Sequence, residues 1–272
     1  MVIDVAPLWD FSKPEVSEQR FRDALATAQG DDVLVLQTQI ARTYGIRKDF
    51  VRAREVLRVI EPAIARSGPE AQARYWLELG RTWSSATHPK ESQTPEAVAT
   101  ARAAFQKSLD IARAGALDAL AIDAIHMFAF LDTAPADQLK WGREALAVVL
   151  ASQQPAAQRW QASVRNNIGY ALHQLGRYDE ALAEFRQALA LREQSGNARS
   201  IRVARWMVAW TLRALKRDDE ALAMQLALER ENAAAGEPDE YVFEELAHLY
   251  RAKGDEARAA YYSGLHKARA KQ

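Results

Sequence analysis

The sequence predicts an all-α protein, built as about six antiparallel helix hairpins in tandem behind one N-terminal helix. Three observations lead there. Apolar residues recur at helical spacing along most of the chain, interrupted by short polar turns. One pattern keeps returning: apolar, small and apolar residues, a turn that often holds glycine, then an alanine with an aromatic or apolar residue four places on. Breakers punctuate the pattern, with Pro135, Pro155 and Pro238 where helices should begin and Gly30, Gly176, Gly196, Gly236 and Gly254 at expected ends.

Taken in order, Ser12 and Glu15, with Pro14 between them, read as the capping box of a helix reaching about Ala28. Its Val16, Phe21 and Leu25 would cover the open face of the first repeat, as terminal caps do in helical arrays. The first hairpin is marked by Ile40-Ala41, Tyr44, Phe50, Ala53 and Leu57. The second has Trp76, Leu79, Gly80 and Trp83, then Ala101 and Phe105. Between them Ser84 to Thr94 lengthens the turn, which reads as a tolerated surface insertion. The third, Ala116 to Ser152, breaks at Thr133-Ala134-Pro135, and either Gly142 or Ala145 could be its close-contact residue.

The fourth hairpin is the clearest. Asn167-Ile168-Gly169-Tyr170-Ala171-Leu172 leads into Leu175-Gly176-Arg177-Tyr178-Asp179-Glu180-Ala181, followed by Phe185 and Ala188. Gly169 and Ala181 would let two helices approach closely while Tyr178 and Phe185 fill the space beside them. The fifth shows Val208-Ala209, Leu212, Asp218 and Ala221. The sixth shows Phe243, Leu246-Ala247, Tyr250, Gly254, Ala257 and Tyr261, with its turn one residue short.

The fourth segment resembles the tetratricopeptide repeat at nearly every signature place, and the other copies follow it in register. The resemblance implies a right-handed superhelical solenoid in which first helices line a concave groove and second helices face outward. The repeats here lie about 40 residues apart, against the family's usual 34 or so. Repeats of that length also occur in bacterial peptide-pheromone receptors and kinesin light chains. The former usually carry a DNA-binding helix-turn-helix, for which the first 30 residues are too short. Residues 1–30 are therefore read as an N-terminal segment with its capping helix, and 31–272 as a single array.

Composition narrows the function. Thirty-six basic and 36 acidic residues cancel, so no global field directs the chain to nucleic acid or to an anionic membrane. The absence of cysteine excludes disulfides, thiolate zinc sites and cysteine nucleophiles. The opening residues have no basic head and no long apolar run, so no signal peptide is read there, and no stretch approaches the ~20 apolar residues of a membrane span. A cytoplasmic location is expected. The five histidines lack the spacing of metal ligands on one helix face, and glycine-rich phosphate loops are absent. No metal, cofactor or catalytic constellation is expected.

On the groove that the resemblance implies, Thr38, Arg42, Arg74, Glu78 and Arg81 would come from the first two repeats. Ser163, Asn166, Asn167, Tyr170 and Gln174 would come from the fourth, Trp206, Met207, Trp210 and Arg213 from the fifth, and Tyr241, Glu244, His248 and Arg251 from the sixth. Asparagine inside a helix is unfavourable unless its side chain is used. Asn166 and Asn167 would hold a peptide backbone, Trp206 and Trp210 would anchor a side chain, and the arginines would attract acidic groups or a terminal carboxylate. The expected function is a bacterial-type, non-enzymatic adaptor for a protein or peptide segment. The alternatives are a self-associating structural subunit, and a small-molecule binder or enzyme in which His126, His173 or His248 meets acids in a deep pocket.

Overall fold

The computed structural model of the protein describes residues 3–270; Met1 and Val2 of the N-terminal segment, and Lys271 and Gln272 at the end of the array, lie outside them. Among the described residues the chain is helical throughout, with no strand. By contact density it divides into two compact units, residues 1–160 and 161–272. The first contains α1 (Pro14–Leu25), α2 (Asp31–Ile46), α3 (Phe50–Ile64), α4 (Pro69–Arg81), α5 (Pro95–Ala114), α6 (Asp118–Leu131), α7 (Pro135–Ala151) and the short α8 (Pro155–Gln158). The second contains α9 (Gln161–Gln174), α10 (Tyr178–Ser195), α11 (Ala198–Ala214), α12 (Asp218–Ala234), α13 (Glu240–Ala252) and α14 (Glu256–Arg269). Six hairpins result, three in each unit: α2–α3, α4–α5 and α6–α7, then α9–α10, α11–α12 and α13–α14.

Local chemistry sets the boundaries. Asp49, Thr94, Asn197 and Asp255 each accept the backbone N–H three residues on, and Asp239 accepts the one two residues on, so five helices start on a side-chain cap. The turns share one hydrogen-bond pattern. Arg177 N–H donates to the Leu172 carbonyl, Arg217 N–H to Leu212 and Asp255 N–H to Tyr250, the backward closure of a left-handed helix cap. Gly176 and Gly254 take that cap at φ of 72° and 77°, but Lys216 does so at 61°, where a Cβ is strained. Lys216→Gly should therefore raise stability by about 1 kcal/mol, read as a shift in urea midpoint at unchanged slope.

Close packing at two glycines joins the hairpins. A Cβ on Gly80 would overlap the Phe105 ring, and one on Gly169 would stand 2.8 Å from Phe185. Both rings are buried. At the third hairpin Ala145 is buried, whereas Gly142 is only partly so. The sixth hairpin corrects the sequence reading. Its turn is full length, and the buried pair is Ala259 and Tyr262, while Ala257 and Tyr261 face outward.

The capping helix also differs from expectation. It starts at Pro14 behind Lys13 with no side-chain cap, because Ser12 donates its hydroxyl to Asp10 instead, and it ends at Leu25. Phe21 is fully buried and Leu25 partly so against α2, while Val16 stays exposed. In α12, Gln225 is fully buried and neither amide atom has a hydrogen-bond partner among the described residues. Replacing it by the similarly sized Met removes that unmet polarity. Gln225→Met should stabilise the fold by about 1–2 kcal/mol in the same urea assay.

Candidate functional site

In the first unit, the inner helices α2, α4 and α6 bring four charges to one place. Arg81 on α4 bonds Glu78 at 2.6 Å and reaches Asp123 on α6. Arg42 on α2 lies farther from the same two acids, 3.4 Å from Glu78 and 3.5 Å from Asp123. Burial alone would raise the Asp123 carboxyl, but the arginines overcome this and hold it at about 2. These residues floor a cavity of about 270 Å³ whose walls include Ile46, His126, Met127, Phe130 and Trp160. Burial pushes the His126 imidazole below its usual range, against the pull of Asp123.

The long turn after α4 belongs to this cavity. Ser85, Ala86 and Thr87 line it. The His88 ring stacks on Phe50 at 3.7 Å and bonds the Thr82 carbonyl, and the Thr87 hydroxyl donates to the Gly45 carbonyl. The expected tolerated insertion is thus a segment fastened over the first hairpin. Arg74 stands apart from the cluster and pairs with Glu70 at 2.8 Å. Thr38, expected on the groove, is fully buried and donates to the Val35 carbonyl.

In the second unit, α9, α11 and α13 form the corresponding face. Asn166 and Asn167 line a hollow of about 380 Å³ with Ser163, Arg192, Asn197, Arg199, Ser200 and Val203. Arg192 donates to the Ser163 hydroxyl at 2.7 Å. Among the described residues no carboxylate lines this hollow. Arg199 and Val203 also border a second hollow of about 660 Å³, which adds Trp206, Tyr241 and the acids Glu237, Asp239 and Glu240. One helix, α11, therefore borders a basic, amide-rich hollow on one side and an acid-edged aromatic one on the other.

Trp206 and Trp210 are partly buried and stack on each other at 5.6 Å. Trp210 also stacks on His173 at 3.3 Å and lies 6.0 Å from Tyr170. Burial, with Arg213 adding repulsion, lowers the His173 imidazole to about 4, so it stacks as a neutral ring. Trp206 packs on the last-hairpin core and faces Tyr241 at 6.1 Å. Arg213 is held by Glu245 through two bonds of 2.7 Å, Glu244 is partly buried and His248 is exposed.

The expected site residues thus fall into groups. Arg42 and Arg81 share the first-unit cavity, Asn166 and Asn167 share a hollow, and Trp206 borders its neighbour. Tyr170 and Trp210 belong to an aromatic stack, and Arg213 is engaged within the fold. Asp123, Phe130, Trp160, Arg192, Arg199 and Asn197 were not read from sequence. An aspartate inside the apolar run Ala121–Leu131 was the available signal for the first group, because a buried acid requires a partner.

Residues 160–227 match the family model of the tetratricopeptide repeat. That segment carries tetratricopeptide repeats. A search of curated protein sequences finds no significant match. Among solved structures, the chain is similar to a signal-transduction ATPase with numerous domains from Pyrococcus horikoshii, which has a tetratricopeptide repeat sensor. The identity is 14% and the TM-score 0.68, over 94% of this chain and 39% of that one, so this chain spans well under half of that protein. It is also similar to a Rap protein in complex with competence and sporulation factor, at 15% identity and TM-score 0.58, over 93% of this chain and 69% of that one. Aspartyl phosphate phosphatase F from Bacillus subtilis matches at 16% identity and TM-score 0.57, over 97% of this chain and 78% of that one. At these identities the likeness is one of fold. No helix among the described residues is long and apolar enough to cross a membrane.

Proposed function

We propose that the protein is a non-catalytic scaffold that holds an extended peptide segment along α11 of its second unit. One observation carries the reading: the hollow between α9 and α11 is lined by two arginines and three asparagines with no carboxylate, and it adjoins an aromatic hollow across Val203. Paired amides on one helix can accept from and donate to a peptide backbone. Arg192 and Arg199 suit an acidic side chain, and Val203, Trp206 and Tyr241 suit an apolar one beside it. Val203 and Tyr241 are half exposed, so the surface is open to a ligand. The Rap complex, in which a protein of similar fold is bound to competence and sporulation factor, agrees with such a use.

Panning a phage-displayed peptide library against the protein tests this. The expected enrichment is an acidic residue within a few positions of an aromatic or branched apolar one. Enriched peptides should lose binding by about tenfold or more in Arg199→Glu, whose side chain is exposed and whose replacement leaves the core intact. Failure to enrich any sequence family, or enrichment indifferent to Arg199→Glu, would contradict the reading.

A further inference from the structure

We propose that the first-unit cavity binds a small organic monocarboxylate with an apolar ring or branched body, its carboxylate held by Arg42. The two arginines of the cluster are unequal. Arg81 is close to both acids, whereas Arg42 presents one nitrogen to them at 3.4 and 3.5 Å, the outer limit of a hydrogen bond. Its remaining N–H groups make no hydrogen bond among the described residues, and Arg42 lines the cavity. Behind it the Trp9 and Phe11 rings lie 5.7 and 5.6 Å from the guanidinium carbon, holding the group without supplying an acceptor. Burial and the neighbouring Arg81 both disfavour the Arg42 cation, while Arg81 itself is favoured by its acids. A carboxylate fits this deficit, because a guanidinium grips it through two parallel hydrogen bonds.

The rest of the cavity selects the body. Ile46, Met127, Phe130 and Trp160 form apolar walls, and about 270 Å³ accommodates one or two rings. Arg42, Arg81, Glu78 and Asp123 are balanced in charge, so the site tolerates one added negative charge and disfavours a dianion. Every residue named lies in the first unit, so the proposal does not depend on the peptide reading for the second.

Isothermal titration of the full chain with phenylacetate and indole-3-acetate, beside phenylacetamide and phenyl phosphate, tests it. The expected result is binding of at least one acid, with amide and phosphate weaker by about tenfold or more. Binding should fall similarly in Arg42→Gln. Because that change touches the buried cluster, Phe130→Ala and Ala86→Trp provide independent readouts; both alter exposed positions on the cavity wall. Each should weaken the acids several-fold while Arg199→Glu leaves them unchanged. No binding at millimolar acid, equal binding of the amide, or insensitivity to Phe130→Ala and Ala86→Trp would overturn the proposal. So would binding restricted to short peptides ending in a free carboxylate, with no response to either small acid.

Discussion

Asp123→Ala should destabilise the protein by about 3–5 kcal/mol, because it removes one acid from a buried cluster and leaves two arginines facing Glu78 alone. The carboxylate is nearly buried. Acid titration supplies a second readout. The folded Asp123 carboxyl lies at about 2, below its ordinary value of 3.8. A depressed folded value means that the contribution is fully present above about pH 4 and is lost as pH falls toward 2. Wild type should therefore lose about 2 kcal/mol over that window that Asp123→Ala does not lose. Equilibrium urea unfolding at pH 7, 4 and 2 measures both effects. Equal stability of the two proteins at every pH would mean that the cluster contributes nothing.

Phe185→Ala should cost a similar amount, about 3–5 kcal/mol, since the ring is buried and fills the space opened by Gly169. The converse change, Gly169→Ala, places a methyl group 2.8 Å from that ring and should cost about 1–3 kcal/mol. The two effects are coupled through one contact. Gly169→Ala should be cheaper in a Phe185→Leu background, by an amount that a double-mutant cycle in urea resolves. Additive costs would show that the glycine serves the helix backbone and not the packing of the hairpin.

Those contacts also explain which parts of the structure were legible in the sequence. Gly80 with Phe105 and Gly169 with Phe185 could be paired because small and large residues at fixed spacing have one good packing solution. The third hairpin could not be registered, since α6 is apolar on nearly every face and therefore has no periodicity to read. Asp123 and His126 lie on that helix, and the cavity went unread with them. The sixth hairpin was misplaced because Ala257 and Ala259 both fit an alanine signature, and burial chooses Ala259. The arginines of the expected groove illustrate a different limit. Arg213 and Arg81 look alike in sequence to Arg199, but only the fold shows that Glu245 and Asp123 engage the first two. For Trp206 and Trp210, helical spacing placed both on one face, while the partners that decide their packing, Tyr241 for Trp206 and His173 for Trp210, come from other helices.

If a peptide lies on α11 between α9 and α13, amide chemical-shift mapping with a peptide selected by panning should show it. The largest shifts should fall at Asn166, Asn167, Arg199, Val203 and Tyr241, and Arg199→Glu should abolish them. Shifts concentrated on α10, α12 and α14, with Asn166 and Val203 unmoved, would contradict it.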